Sequence, residues 1–115
     1  MLRRYKIKSD SKKEQDKFAI LTWDDEKDVY HISIPEDINP MWLPAIPMLW
    51  WKKGVYEIND KFARRFVKER VIPPERQNIG EVLKKIGVKR YSEMAIIEYC
   101  TGRCCMDDFC VERIE

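Results

Sequence analysis

FAILTWDDEKDVYHISI, residues 18–34, is the stretch on which the fold turns. Phe18 to Trp23 and Val29 to Ile34 are rich in β-branched and aromatic residues, and the acidic run Asp24 to Asp28 between them is turn-like. The pair predicts an antiparallel hairpin with Tyr30, Ile32 and Ile34 on one face and His31 on the other. Upstream, Tyr5 to Lys8 alternate weakly, which extends the hairpin region over about residues 5–34. Asp24, Asp25 and Asp28 lack the glycine and terminal glutamate of a calcium loop, so they are expected to form a solvated turn.

Downstream, Pro35, Pro40, Pro44 and Pro47 punctuate PEDINPMWLPAIPMLWWKKG. Each proline fixes its own φ and biases its predecessor away from helix, which predicts an irregular connection over 35–58. A connection carrying Trp42, Trp50 and Trp51 with Leu43, Ile46 and Leu49 is too apolar to be a solvated linker. The three tryptophans are therefore expected to pack across the domain or onto a partner.

From Asn59 the period becomes helical. Asn59 or Asp60 can cap a helix to about Arg70, with Phe62, Phe66 and Val67 on one stripe. After Ile72-Pro73-Pro74, Asn78 and Glu81 have capping-box spacing ahead of Ile79, Val82, Leu83 and Ile86, and Gly87 is placed to stop the helix. Ser92 can cap a third helix through Met94, Ala95, Ile96 and Ile97 to Cys100, with Gly102 as its left-handed stop. This gives a helical part over 59–101, and the alternation of Phe109 to Ile114 predicts a final strand over 109–114. The expected fold is a single α+β domain over 1–115, a small antiparallel sheet of the N-terminal hairpin and the C-terminal strand packed with three short helices.

Composition bounds the function classes. A chain of 115 residues that is 44% hydrophobic can build one core. The 37% charged residues are mixed in sign, with a net charge of only +2, so composition points to neither a polyanion binder nor a disordered acidic chain. The charge is uneven, however: Lys52 to Arg90 holds twelve Lys or Arg against five Asp or Glu, net +7, and the remainder is net −5. No stretch approaches the roughly 18 uncharged apolar residues of a membrane helix, so a cytoplasmic protein is expected, with its four cysteines as thiols.

Those cysteines fall within CTGRCCMDDFC, residues 100–110. A zinc site usually presents two ligand pairs on separate turns, whereas this chain has one cluster, and adjacent Cys104 and Cys105 point apart in extended structure. Cys100, Cys104 and Cys110 with His31 form the alternative metal set; the favoured reading is packed thiols acting as small hydrophobes, with no metal or cofactor. Arg103 would lower a neighbouring thiol pKa, but Asp107 and Asp108 oppose it. His31 has no serine or cysteine placed beside it, which disfavours catalysis.

Basic residues on the helices, Arg64, Arg65, Lys68, Lys84 and Lys85 among them, are candidate nucleic-acid contacts, although VIPPERQ is too proline-rich for the turn of a helix-turn-helix. Arg70 and Arg76 flank Ile72-Pro73 and are expected to pair with Asp107 or Asp108, fastening the helices to the final strand; the alternative is two exposed arginines.

FVKERVIPPERQNIGEVLKKIG followed by GRCCMDDFCV resembles the segment ahead of the catalytic domain in HipA-like serine/threonine kinases of Firmicutes. Phe66, Arg70, Ile72, Pro73, Arg76, Glu81, Leu83, Gly102, Asp107, Phe109 and Val111 carry the likeness, which spans about Trp50 to Ile114. The chain holds no glycine-rich loop, catalytic-loop aspartate or metal-binding motif, so kinase activity is not expected. On the family's pattern Cys104 and Cys105 stand at Ser and Leu positions and Cys110 at a Trp position, which implies packing. The resulting expectation is a non-enzymatic regulatory or protein-interaction module of a bacterial toxin–antitoxin or mobile-element kind, with another protein as partner; the alternative is a small nucleic-acid-binding regulator.

Overall fold

The computed structural model describes residues 2–9, 15–71, 78–102 and 108–114. Its strands are β1 (Leu2–Ser9), β2 (Ala19–Asp24), β3 (Val29–Ser33), β4 (Glu57–Ile58) and β5 (Phe109–Arg113). Its helices are α1 (Ala45–Lys52), α2 (Asp60–Glu69), α3 (Ile79–Ile86) and α4 (Glu93–Cys100). The strands form one antiparallel sheet in the order β4-β3-β2-β1-β5. The α+β class is therefore as expected, with four α-helices among the described residues where three were predicted.

The predicted hairpin is β2 and β3, with Leu21 opposite Ile32 and Trp23 opposite Tyr30. Asp24 shapes its turn, its Oδ1 accepting from the main-chain N–H groups of Glu26 and Lys27. The weakly alternating segment before it is a full interior strand of the sheet, since β1 pairs with both β2 and β5. Cross-strand register explains why: Ile58, Ile32, Leu21 and Tyr5 stand in one row, and Val111, Ile7 and Ala19 in the next. All seven are buried. Burial of one apolar face fixes this register, because a one-residue slip would turn every member of the row to solvent.

α2 covers that face over β3 with Ala63, Phe66 and Val67, and α4 adds Met94 and Ile97 near β5. The opposite face carries Arg4, Lys6, Lys8, Thr22, His31, Ser33 and Glu57, as alternation requires.

The proline-rich connection is more regular than its sequence suggests. After a 3₁₀ turn at Pro40–Trp42, whose Met41 N–H is met by the Asn39 side chain, α1 starts from Pro44 and carries Pro47 in its first turn. The first four N–H groups of a helix have no intrahelical acceptor, so a proline there removes no bond. That position explains why Pro47 does not prevent a helix. Caps also differ from expectation: Ser92 accepts from Ala95 N, but neither Asn59 nor Asn78 makes a side-chain cap bond. α3 ends as predicted at left-handed Gly87, with Val88 N donating to Leu83 O. α4 ends through two left-handed residues, Thr101 and the expected Gly102.

Candidate interaction surface

α1 is unusual in having almost no polar side. Its inward residues Ile46, Trp50 and Trp51 pack on the core, as does Trp42 of the preceding turn. Trp50 meets the Phe62 ring at 4.6 Å between centroids, and Trp51 Nε1 donates to Glu36 O at 3.1 Å. All three tryptophans pack against the core while remaining half-buried. Outward, Ala45 and Leu49 share a stripe at i, i+4, and Lys52 is the helix's only charged residue. Leu49 is 53% exposed, and Met41 on the adjoining turn is 66% exposed. Sequence reasoning named the tryptophans and missed Met41; the signal for Leu49 was the helical spacing from Ala45, hidden by reading the prolines as breakers.

Arg70 is 6% exposed and joins three elements. Its Nε donates to Gly102 O and its Nη2 to Phe109 O, each at 2.7 Å, while its guanidinium lies 5.5 Å from the Phe66 ring centroid. The helices are thus fastened to β5 at the expected arginine, with main-chain oxygens among its acceptors. Arg76 and Asp107 lie outside the described residues, and Asp108 is exposed just ahead of β5.

At the other end of α2, Asp60 Oδ1 accepts from Tyr30 N at 2.7 Å and pairs with Arg64 Nη2 at 3.1 Å. Burial opposes ionisation of Asp60, but the bonds from Tyr30 N–H and Arg64 outweigh it and hold the carboxyl below the usual carboxylate range. Tyr30 N and Phe109 O belong to strands β3 and β5, so one helix blocks main-chain groups near both edges of the sheet. Val111 N, also on β5, donates to Thr101 O at 2.8 Å. Addition of a partner strand is accordingly obstructed at these positions.

The proposed nucleic-acid contacts divide. Arg64 is drawn against the Tyr30 ring, 4.7 Å from its centroid, and pairs with Asp28 and Asp60. Arg65 is exposed beside Glu69 at 3.6 Å, and Lys68, Lys84 and Lys85 are exposed. They do not share one helix: the first two lie on α2 and the last two on α3.

Among the alternative metal ligands, Cys100 is half-buried and Cys110 fully buried; Cys104 and Cys105 lie outside the described residues. His31 sits on β3, separated from Cys110 on β5 by two intervening strands, roughly 14 Å at ordinary strand spacing. That distance keeps it from a shared tetrahedron. His31 Nε2 instead lies 2.7 Å from Glu57 Oε1, and Ser33 Oγ donates to Glu57 Oε2 at 2.7 Å. The Ser33 hydroxyl, followed by His31, lowers the Glu57 pKa. No group of three His, Cys, Asp or Glu suited to a metal occurs among the described residues.

An open cavity of about 310 Å³ is lined by Tyr5, Glu98, Thr101, Val111, Glu112 and Arg113. Glu98 Oε1 accepts from Tyr5 Oη at 2.8 Å and from Arg3 and Arg113 at 3.3 Å each. Burial, followed by the Glu98 carboxylate, pushes the Tyr5 phenol up. The Tyr5 phenol is held as a neutral donor to Glu98, an arrangement that holds α4 against β1 and β5. No helix among the described residues is long and apolar enough to cross a membrane.

No protein-family model, curated protein or solved structure matches the chain.

Proposed function

We propose that this chain is a non-enzymatic protein-interaction module with a regulatory role, of the toxin–antitoxin or mobile-element kind suggested by its resemblance to the segment ahead of HipA-like kinase domains. The observation that carries the reading is the outward side of α1. A surface helix normally turns several charged residues to water, whereas α1 presents Ala45 and Leu49 with Lys52 as its one charge, and exposed Met41 lies on the turn that precedes it. Exposed apolar side chains concentrated in one short segment of this kind suit a contact surface. The tryptophans behind them hold the helix in place, so the patch is presented on a fixed support.

The test is affinity capture from a lysate of the host cell with the wild-type chain and with Leu49→Glu, followed by identification of retained proteins. The reading expects a defined protein retained by the wild type and lost with Leu49→Glu. Identical retention by both, or none by either, overturns it. Exposed Lys68, Lys84 and Lys85 favour a second reading, nucleic-acid binding. Phosphate contacts would weaken steeply between low and physiological salt in a gel-shift series, and no shift at low salt removes that reading.

A further inference from the structure

α2 and α3 are similar in pattern and opposite in use. α2 buries Ala63, Phe66 and Val67 in the core. α3 has Ile79, Val82, Leu83 and Ile86 at i, i+3, i+4, i+7, yet none of the four is buried and none belongs to the core cluster of the described residues. Its one substantial helix neighbour is α4.

Local forces give α3 little support. It is eight residues long, contains Gly80, and three of its four apolar residues are β-branched. Asn78 makes no side-chain cap bond at its start. A short helix with such an incompletely covered stripe gains most from a partner that completes the burial.

The charges around it say what that partner carries. Lys84, Lys85, Lys89 and Arg90 are all exposed, against a single acidic residue in α3, Glu81. We propose that α3 is the docking surface for an acidic amphipathic helix of another protein, whose apolar stripe packs on Val82 and Ile86 while its carboxylates face Lys84, Lys85, Lys89 and Arg90. A nucleic-acid backbone would use the same cations but has no aliphatic stripe to place on Val82 and Ile86. The proposal rests on the reading of the chain as an interaction module and names the chemistry of one partner.

The probe is a fluorescein-labelled 18-residue designed helix with leucines at i, i+3, i+4, i+7 and glutamates on its flanks, titrated by anisotropy against the full chain. A version with lysines for the glutamates and a labelled DNA duplex are run beside it. The acidic peptide is expected to bind with a dissociation constant on the order of 10 μM, and the lysine version at least tenfold more weakly. Lys84→Glu with Lys85→Glu, at exposed positions that leave packing intact, should reverse that preference, and Val82→Glu should abolish binding of both. Equal binding of both peptides, DNA binding without acidic-peptide binding, or no binding at all overturns the proposal. Self-association in sedimentation that Val82→Glu abolishes would put a second copy on α3 and overturn it equally. If the peptides fail while Leu49→Glu still releases a host protein, the docking proposal falls and the module reading stands.

Discussion

The guanidinium of Arg70 lies 2.7 Å from the main-chain oxygen of Phe109, a residue 39 positions later, and its Nε reaches Gly102 O at the same distance. One side chain at the end of α2 thereby holds the exit of α4 and the entrance of β5 together. Low solvent access makes the link consequential, because each acceptor would otherwise be a carbonyl without water.

Arg70→Ala should destabilise the chain by about 2–3 kcal/mol, the range for losing charge-assisted bonds and leaving their acceptors unmet. Arg70→Lys should recover less than half, since a lysine cannot reach two carbonyls with a fixed fork. Urea unfolding midpoints measure both, and a loss under 0.5 kcal/mol for Ala, roughly the noise of a surface change, would refute the anchoring role.

The approach of α4 to β5 is close at Gly102. Its φ is +65°, and a Cβ there would lie 2.6 Å from Val111 Cβ and 2.9 Å from Val111 N. Gly54 provides the control, with φ +80° and nothing within 4 Å of its added Cβ. Gly54→Ala should cost about 1 kcal/mol from backbone conformation alone, and Gly102→Ala about 2–4 kcal/mol because overpacking is added. Equal costs in thermal unfolding would show that the contact with Val111 is unimportant.

Asp60 predicts acid sensitivity. Its folded pKa lies below its unfolded value, so its ionised form contributes stability above the unfolded pKa, and that contribution is lost as pH falls through the folded pKa. Asp60→Asn keeps an oxygen for Tyr30 N but no charge for Arg64. The melting temperature of the wild type should exceed that of the variant at pH 7, and the gap should close as the pH falls below about 4, the ordinary aspartate value. A gap independent of pH would assign the effect to something other than ionisation.

The starts of α3 and α4 differ in a measurable way. Ser92→Ala should cost about 1 kcal/mol, because Ser92 Oγ accepts from Ala95 N at 3.3 Å. Asn78→Ala should cost less than about 0.5 kcal/mol, since its side chain makes no cap bond. Comparable losses for the two would contradict the capping difference.

Several of these features were legible before any coordinates. Alternation in Val29 to Ile34 depends only on the two-residue period of a strand, and the α2 and α3 stripes only on the helical period, so neighbours in sequence sufficed. α1 was hidden because a proline's effect depends on its position within a helix, and that position is not known until the helix start is. The β1 strand was underestimated for a related reason: Arg3, Arg4, Lys6 and Lys8 dilute its pattern, and its interior place comes from partners at Ala19 to Asp24 and Phe109 to Arg113.

The contact surface follows the same division. The sequence marked residues 35–58 as too apolar for a linker, but the sides of α1 that face core and solvent depend on how it lies over Phe62.

By itself, then, the sequence determined the fold class, the α2–α4 helices and the hairpin, because local periodicity and turn chemistry act over a few residues. Tertiary structure alone decided that Asp60 would engage β3, that Arg70 would reach main-chain oxygens of Gly102 and Phe109, that the tryptophans would pack against the core, and that the α3 stripe would remain half-covered. Those outcomes depend on which distant surfaces meet, and burial energy is settled only when they do.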